Sequence, residues 1–333
     1  MNFSHQEDSD DNQDPSSPNV SDHPQFPAAL VEQSFLERHG ISPVLFAYLS
    51  LLIVFFLYQI VGGVLSAFLF LGEGIIAAHA TTFRVTTVAA QIVFLFIPTL
   101  ILTRFADSNP QKYLRVQSPQ RTSRSSLAAV FLLPLFGIFS LQQMFQVYLS
   151  FQEKIPLPEK VRPLVEDLMR MIEQAYSTLI TATSLPEFLF VVFVVAVVPA
   201  IAEELLFRGL IQRSFERGLG ATRGVVLTAV IIAMYHLNPF SLLPLVGLGL
   251  YLGFLVHRSN SIWTSVAAHF YNNLFACTAV YLKLGEDYVV TGDPAALSTS
   301  SILLIFFSFS MVFLLSTYYF VIVTRTAPIH QQT

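Results

Sequence analysis

Residues 194–217 read VVAVVPAIAEELLFRGLIQRSFER, and this stretch decides how the rest of the chain is organised. It begins as an apolar run that has the composition of a membrane span, and then Glu203, Glu204 and Arg208 follow within six residues. Insertion scales assign about 2.5–3.5 kcal/mol to each such charge at the centre of a membrane helix. Three charges at this depth therefore need a structural or chemical reason.

Helical geometry treats the two adjacent carboxylates differently. Glu204 and Arg208 are four residues apart, so they can form an ion pair on one face of a helix. Glu203 points about 100° away and has no local partner. Pro199 frees the carbonyl of Val195 from the helical hydrogen-bond pattern, which predicts a kink before the acidic pair. A structural ion pair would explain Glu204 and Arg208, whereas an unpaired Glu203 inside the membrane is better explained by a chemical role.

The composition excludes an ordinary soluble globular protein. Hydrophobic residues make up 53% of the chain, charged residues only 12%, and the mean hydropathy is +0.60. The net charge of −4 offers no basic surface for nucleic acid, so we expect no nucleic-acid partner. The single cysteine, Cys277, excludes a disulfide within the chain.

Apolar runs of about 20 residues or more predict an all-α polytopic membrane protein, a bundle of about eight transmembrane helices. The expected spans are residues 41–71, 85–103, 125–152, 184–213, 224–236, 240–256, 262–282 and 298–324. Gly249 and Gly253 present a face of small residues on the sixth span, which favours close helix contact. Ser184 and Glu187 have the spacing of a capping box at the start of the fourth.

These spans divide the chain into five regions. Between residues 158 and 176 apolar residues recur at helical spacing with charges between them, which favours an interfacial connector over a gate above the site. The expected regions are a disordered acidic tail at 1–40, three spans at 41–152, the amphipathic connector at 153–184, a catalytic core at 185–283, and a loop, last span and short tail at 284–333.

Lysine and arginine in the short loops predict the orientation. The basic residues cluster in the loops that follow the second and fourth spans and at Arg258 after the sixth, so these ends share one side. The positive-inside rule assigns that side, and both termini, to the cytoplasm. We expect an integral multi-pass protein of the plasma membrane, with the lipid bilayer as a permanent partner.

Further polar residues occur inside the expected spans. His236 ends the fifth span, and His269 and Asn273 lie four apart on one face of the seventh. At about 1.5 Å per residue from the basic ends, Glu203 lies roughly 15 Å deep, His236 about 20 Å and His269 about 16 Å. Three helices therefore deliver these side chains to one level of the membrane.

These residues resemble the motifs of a known family. EELLFR at Glu203–Arg208 matches EExxxR, HFYNN at His269–Asn273 matches HxxxN, and a helix ending in His236 lies between them. The chain is similar here to the CPBP intramembrane proteases, which include the type II CAAX prenyl endopeptidases and bacterial Abi proteins. The resemblance covers about residues 188–282. One departure is Ile232, where the family's FxxxH motif has phenylalanine.

The resemblance implies an intramembrane endopeptidase acting on peptide or protein substrates with a membrane anchor. Glu203 would activate a water that His236 helps to hold, and His269 and Asn273 would donate hydrogen bonds to the oxyanion. Glu204 and Arg208 would support the site. The family is described both as metal-dependent and as glutamic proteases. No HExxH helix is present, so we expect no required cofactor; if zinc were bound, its ligands would be Glu203, His236 and His269.

Two other functions remain open. A non-proteolytic membrane scaffold or bacteriocin-immunity protein could keep the same fold, although such a protein would have no need of Glu203. A proton or ion transporter would also explain intramembrane carboxylates. It would be expected to show internal repeats with broken helices, and the sequence has none that we could find.

Overall fold

The structure, a computed structural model, describes residues 34–70, 80–122, 126–152, 156, 158–284 and 298–324. These residues form helices and contain no strand, which confirms the all-α class. The long helices are α1 (residues 43–70), α2 (Ala80–Ala106), α3 (Leu127–Gln152), α4 (Arg162–Ile180), α5 (Leu185–Leu219), α6 (Ala221–Tyr235), α7 (Leu242–Ser259), α8 (Trp263–Tyr281) and α9 (Thr299–Val323).

Within the described part of the chain, six helices are long and apolar enough to cross a membrane: α1, α2, α3, α5, α7 and α9. The protein is therefore an integral membrane protein with several spans. The other two expected spans are also helices, but α6 is short, and His269, Asn272 and Asn273 lower the hydropathy of α8. The count of eight stays a prediction.

The central helix α5 is 35 residues long and irregular in two places. It contains π-helical turns at Phe193–Val197 and Leu205–Gln212, and Pro199 follows the first of them. The irregularity expected from Pro199 thus occurs as a widened turn that includes Val195. Such turns inside α-helices are frequent at functional sites.

The buried side chains form two large clusters and one small one. One large cluster joins α1, α2, α5 and α6 around Phe207 and Phe215. The other joins α3, α7, α8 and α9, and the small cluster lies where the end of α4 meets α5 and α8. The predicted close contact of α7 is confirmed: a Cβ at Gly249 would lie 2.9 Å from the Cα of Ala229 on α6. These packings place α5 and α8 beside each other.

The amphipathic segment is helical over Arg162–Ile180, and its apolar side chains Leu164 and Met171 are exposed. Its C-terminal end is held by Arg84 of α2, which is 1% exposed. Arg84 donates to the carbonyls of Thr178 (3.2 Å), Leu179 (2.9 Å) and Thr181, and forms an ion pair with Glu187 at 2.7 Å. The connector is thus attached to the bundle at one end. Residues 153–155 and 157 of the expected region lie outside the described residues.

Two local expectations at helix starts need correction. The Ser184 hydroxyl accepts from the Glu187 amide at 3.4 Å, but the Glu187 carboxylate binds Arg84 and Thr183 instead of completing a capping box. Most of the expected disordered tail at 1–40 lies outside the described residues. Phe35–His39 falls within that range but forms a short helix. That helix is stabilised by a complete capping box between Ser34 and Glu37.

The loop that follows α2 covers the basic ends of the core helices. Tyr113 and Ser214 share a hydrogen bond of 2.7 Å, and Arg217 pairs with Asp107 at 2.8 Å. The amide of Gln120 donates to the carbonyl of Ser259, at the end of α7, at 2.7 Å. The basic loops therefore meet at one end of the bundle, as predicted. The assignment of that end to the cytoplasm stays a prediction.

Candidate active site

A cavity of about 390 Å³ lies within the bundle, between α2, α3, α5, α6, α7 and α8. Its walls include Glu203, His236, His269 and Asn273, the side chains to which the sequence assigned the chemistry. Arg208 also lines it, whereas Glu204 is fully buried behind the wall. Residues from three separate helices are thus brought together, as their estimated depths predicted.

Glu203 is half-buried and faces this cavity. It makes no hydrogen bond or ion pair with any other described residue. Among the described residues, the prediction that Glu203 has no local partner is therefore confirmed. A carboxylate that lines an intramembrane cavity without such a bond is available to act on whatever enters.

Glu204 has the opposite environment. Its Oε1 lies 3.3 Å from Nη1 of Arg208, the pairing expected from the four-residue spacing, and both side chains are buried. This contact is within ion-pair distance but is not aligned as a hydrogen bond. The same oxygen accepts a hydrogen bond of 3.0 Å from Nδ1 of His269 on α8. Glu204 therefore joins α5 to α8 and orients His269.

His236 follows the last residue of α6 and is exposed at the cavity. Its Nδ1 donates to the carbonyl of Ile232 at 2.7 Å, one helical turn earlier. This bond leaves Nε2 as the free ring nitrogen. Ile232, the departure from the family's pattern, is buried and lines the same cavity.

Asn273 is fixed by the irregular part of α5. Its Nδ2 donates to the carbonyl of Val195 at 2.9 Å, the carbonyl that Pro199 was expected to free. Its Oδ1 accepts from Nδ2 of Asn272 at 3.2 Å. One N–H of Asn273 is thus engaged in holding α8 to α5, and the second N–H of the amide is left for a ligand.

The cavity contains polar residues that the family motifs do not include. Gln91 of α2 is buried, lines the cavity, and its Oε1 has no hydrogen-bond partner among the described residues. Gln91 is a polar residue near the middle of an apolar span, and this position in the sequence could have identified it as a candidate site residue. Tyr176 and Leu179 bring α4 to the same cavity, and no local signal in the sequence predicts that contact.

The geometry does not fit a metal centre. Among the residues that the structure describes, no group of three or more His, Cys, Asp or Glu is arranged to hold a metal ion. Glu203, His236 and His269 line one cavity but do not form a ligand set, and Nδ1 of His269 is bound to Glu204. The expectation that no metal is required stays a prediction, and no catalytic step below uses one.

Apolar side chains form most of the remaining walls, with Val194, Pro199, Leu245, Leu248 and Leu252 among them, and Asn272 also lines the cavity. A concave site with apolar walls and a few converging polar groups is the usual form of a ligand-binding or active site. The arrangement is able to hold an apolar chain beside a free carboxylate and two imidazoles.

Comparison with known proteins supports this interpretation. Residues 185–275 match the family model described as type II CAAX prenyl endopeptidase Rce1-like, and all six site residues lie within that range. No curated protein and no solved structure matched the chain. The resemblance to the CPBP and CAAX-type intramembrane proteases, a family of peptidases, is therefore confirmed across residues 185–275.

Proposed function

We propose that this protein is an intramembrane endopeptidase that hydrolyses a peptide bond in membrane-anchored substrates, with Glu203 as the group that activates water. The observation that carries the proposal is the unpaired Glu203 carboxylate in a cavity shared with His236 and His269. The similarity of residues 185–275 to a peptidase family supports the same reaction.

In the proposed reaction Glu203 accepts a proton from water as the water oxygen attacks the scissile carbonyl. The same carboxyl group then gives a proton to the leaving amine. His236 holds the water through Nε2, because Nδ1 donates to the Ile232 carbonyl and cannot accept. General acid–base catalysis of this kind typically contributes about 10²–10⁴-fold in rate.

The oxyanion requires donors, and His269 and Asn273 are the candidates. Because Nδ1 of His269 already donates to Glu204, Nε2 donates to the oxyanion only when the ring carries both protons. Asn273 contributes the N–H that Val195 does not use. Each oxyanion donor is typically worth about 10²–10³ in turnover.

The substrate would be a peptide or protein segment carried to the site by a membrane anchor, since the cavity lies among membrane helices and its walls are apolar. The proposal includes the plasma membrane as the location, with both termini in the cytoplasm. The site would then be reached from the side where the basic loops meet.

The test uses the full chain purified in detergent and an internally quenched peptide that ends in a farnesylated cysteine followed by three residues. The wild type should cleave this probe, and Glu203→Gln should reduce kcat by at least about 100-fold with KM little changed. The matched control is Glu173→Gln, the same chemical change at an exposed position on α4. It should cleave at the wild-type rate.

Three outcomes would contradict the proposal. Cleavage that survives Glu203→Gln would remove this residue from the reaction. A wild type that binds the probe without cleaving it or any other membrane-anchored peptide would favour the non-proteolytic scaffold. A transporter would be indicated by proton or cation flux in vesicles that is lost in Glu203→Gln.

A further inference from the structure

A second cavity, of about 270 Å³, adjoins the active site, and four of the residues that line it carry side-chain amides. It shares Tyr176, Asn272 and Asn273 with the catalytic cavity, so the two spaces are neighbours along α8. Gln142 and Gln146 of α3 form its opposite wall. Of these residues only Asn273 was assigned a role from the sequence, and Gln142 and Gln146 lie outside the range that matches the peptidase family.

These amides have unused hydrogen-bonding capacity. Gln142 and Gln146 are four residues apart, so they lie on one face of α3. Neither makes a hydrogen bond to any residue in the part of the chain that the structure describes. Asn272 uses one amide N–H on Asn273 at 3.2 Å. Polar groups inside a membrane bundle are costly unless they are paired, so their arrangement around a cavity indicates a ligand that pairs with them.

The chemistry of the cavity indicates which ligand. Carboxamides offer one acceptor and two donors without charge, which matches the N–H and C=O groups of a peptide bond. No ionised side chain is among the described residues that line this cavity, so it offers nothing to balance a phosphate or a carboxylate. An extended peptide advances about 3.3 Å per residue, so a few residues suffice to pass from the catalytic cavity into its neighbour.

We propose that Gln142, Gln146 and Asn272 form a subsite that binds the main chain of the substrate on one side of the scissile bond. This inference rests on the proposed peptidase function, since it concerns the same substrate. The subsite pairs main-chain groups that would otherwise be unsatisfied in the membrane, and it does so without selecting side chains. Tyr176, which borders both cavities, brings α4 alongside the bound chain.

The first experiment measures binding and does not depend on cleavage. A fluorescent farnesylated peptide is titrated into the full-length Glu203→Gln protein, and its Kd is measured by fluorescence anisotropy. Gln142→Leu and Gln146→Leu in this background should each raise Kd by roughly 3- to 10-fold, the usual effect of losing one hydrogen bond. The matched control is Gln143→Leu: Gln143 is fully buried, has no partner among the described residues, and does not line the cavity. It should change Kd less than twofold.

The second experiment tests the main chain directly and needs only the Glu203→Gln protein if the leucine variants fold poorly. Peptides in which one backbone amide near the scissile bond is replaced by an ester lack a single N–H donor. At the residue that occupies the subsite, the ester should raise Kd by roughly 3- to 10-fold. In Gln142→Leu or Gln146→Leu the same ester should add no further loss, because the paired group is already absent.

The inference would be overturned if both leucine variants bound the peptide as tightly as the Gln143→Leu control, or if no ester position weakened binding. Failure of the proposed function is a different result, namely a wild type that binds the peptide normally and does not cleave it. A protein that cleaves normally and tolerates every ester would keep its peptidase function and lose this subsite.

Discussion

The contrast between the two adjacent carboxylates gives the sharpest prediction about stability. Glu204 is fully buried, and its Oε1 contacts Arg208 at 3.3 Å and His269 at 3.0 Å. Glu204→Gln keeps the size of the side chain and an oxygen for His269, but it leaves the buried Arg208 guanidinium without its counter-ion. Breaking a buried pair in this way typically costs about 3–5 kcal/mol.

Since about 1 kcal/mol shifts Tm by roughly 2–4 °C in larger domains, we expect Glu204→Gln to lower Tm by on the order of 10 °C. The assay is thermal unfolding of detergent-purified protein, followed by circular dichroism. Glu203→Gln is the matched control, because it makes the same change at the neighbouring, half-buried and unpaired position. It should melt at or above the wild-type temperature while lacking activity.

The double variant Glu204→Gln/Arg208→Gln distinguishes the effect of an unpaired buried charge from the effect of a changed side-chain shape. Removing both charges leaves no unpaired ion, so the double variant should be more stable than the sum of the two single changes. A Glu204→Gln protein that melted with the wild type, or a Glu203→Gln protein that was the least stable of the set, would contradict this assignment of charge pairing. The roles of the two acids would then have to be exchanged.

Four further predictions follow from single features. Arg84→Ala should unfold at a lower temperature and make α4 sensitive to added protease, because the buried Arg84 side chain binds three carbonyls and a carboxylate. The control Arg170→Ala removes an exposed ion pair and should change neither the unfolding temperature nor the protease sensitivity. Asn273→Ala should lower kcat by about 10²–10³-fold with KM little changed, and a collapse of binding at normal turnover would contradict its role as a donor. Cleavage should persist in 1,10-phenanthroline, and loss of activity that zinc restores would contradict the metal-free mechanism. Arg223→Cys in a Cys277→Ser background should react with impermeant thiol reagents from the cytoplasmic side only, and labelling from outside would invert the topology.

The family motifs lie in a part of the chain where interpretation from sequence works well. Glu203, Glu204 and Arg208 are close in sequence, so helical geometry alone predicted which carboxylate is paired. The depths of His236 and His269 could be estimated because each helix has a basic end from which to count. The same counting cannot predict which ring nitrogen is engaged, since that depends on neighbours such as Ile232 and Glu204.

Contacts made across the bundle were not predictable in the same way. Nothing in the spacing of Arg84 indicates that it would hold the end of α4, which is about one hundred residues later in the chain. Asn273 was expected to donate to an oxyanion, and its bond to the Val195 carbonyl appears only once α8 lies beside α5. Helices such as α3 are apolar on nearly every side, so periodicity does not indicate which face is internal.

Local composition and helical geometry were enough to predict the membrane class, most helix boundaries, the Glu204–Arg208 pair and the group of residues that lines the cavity. These features follow from local composition and from the fixed rise and turn of a helix. Only the tertiary structure decided that Gln142, Gln146 and Asn272 surround one space beside the active site. The reason is physical: which side chains meet between helices depends on the rotation of each helix about its axis, and that rotation is set by packing against several neighbours at once.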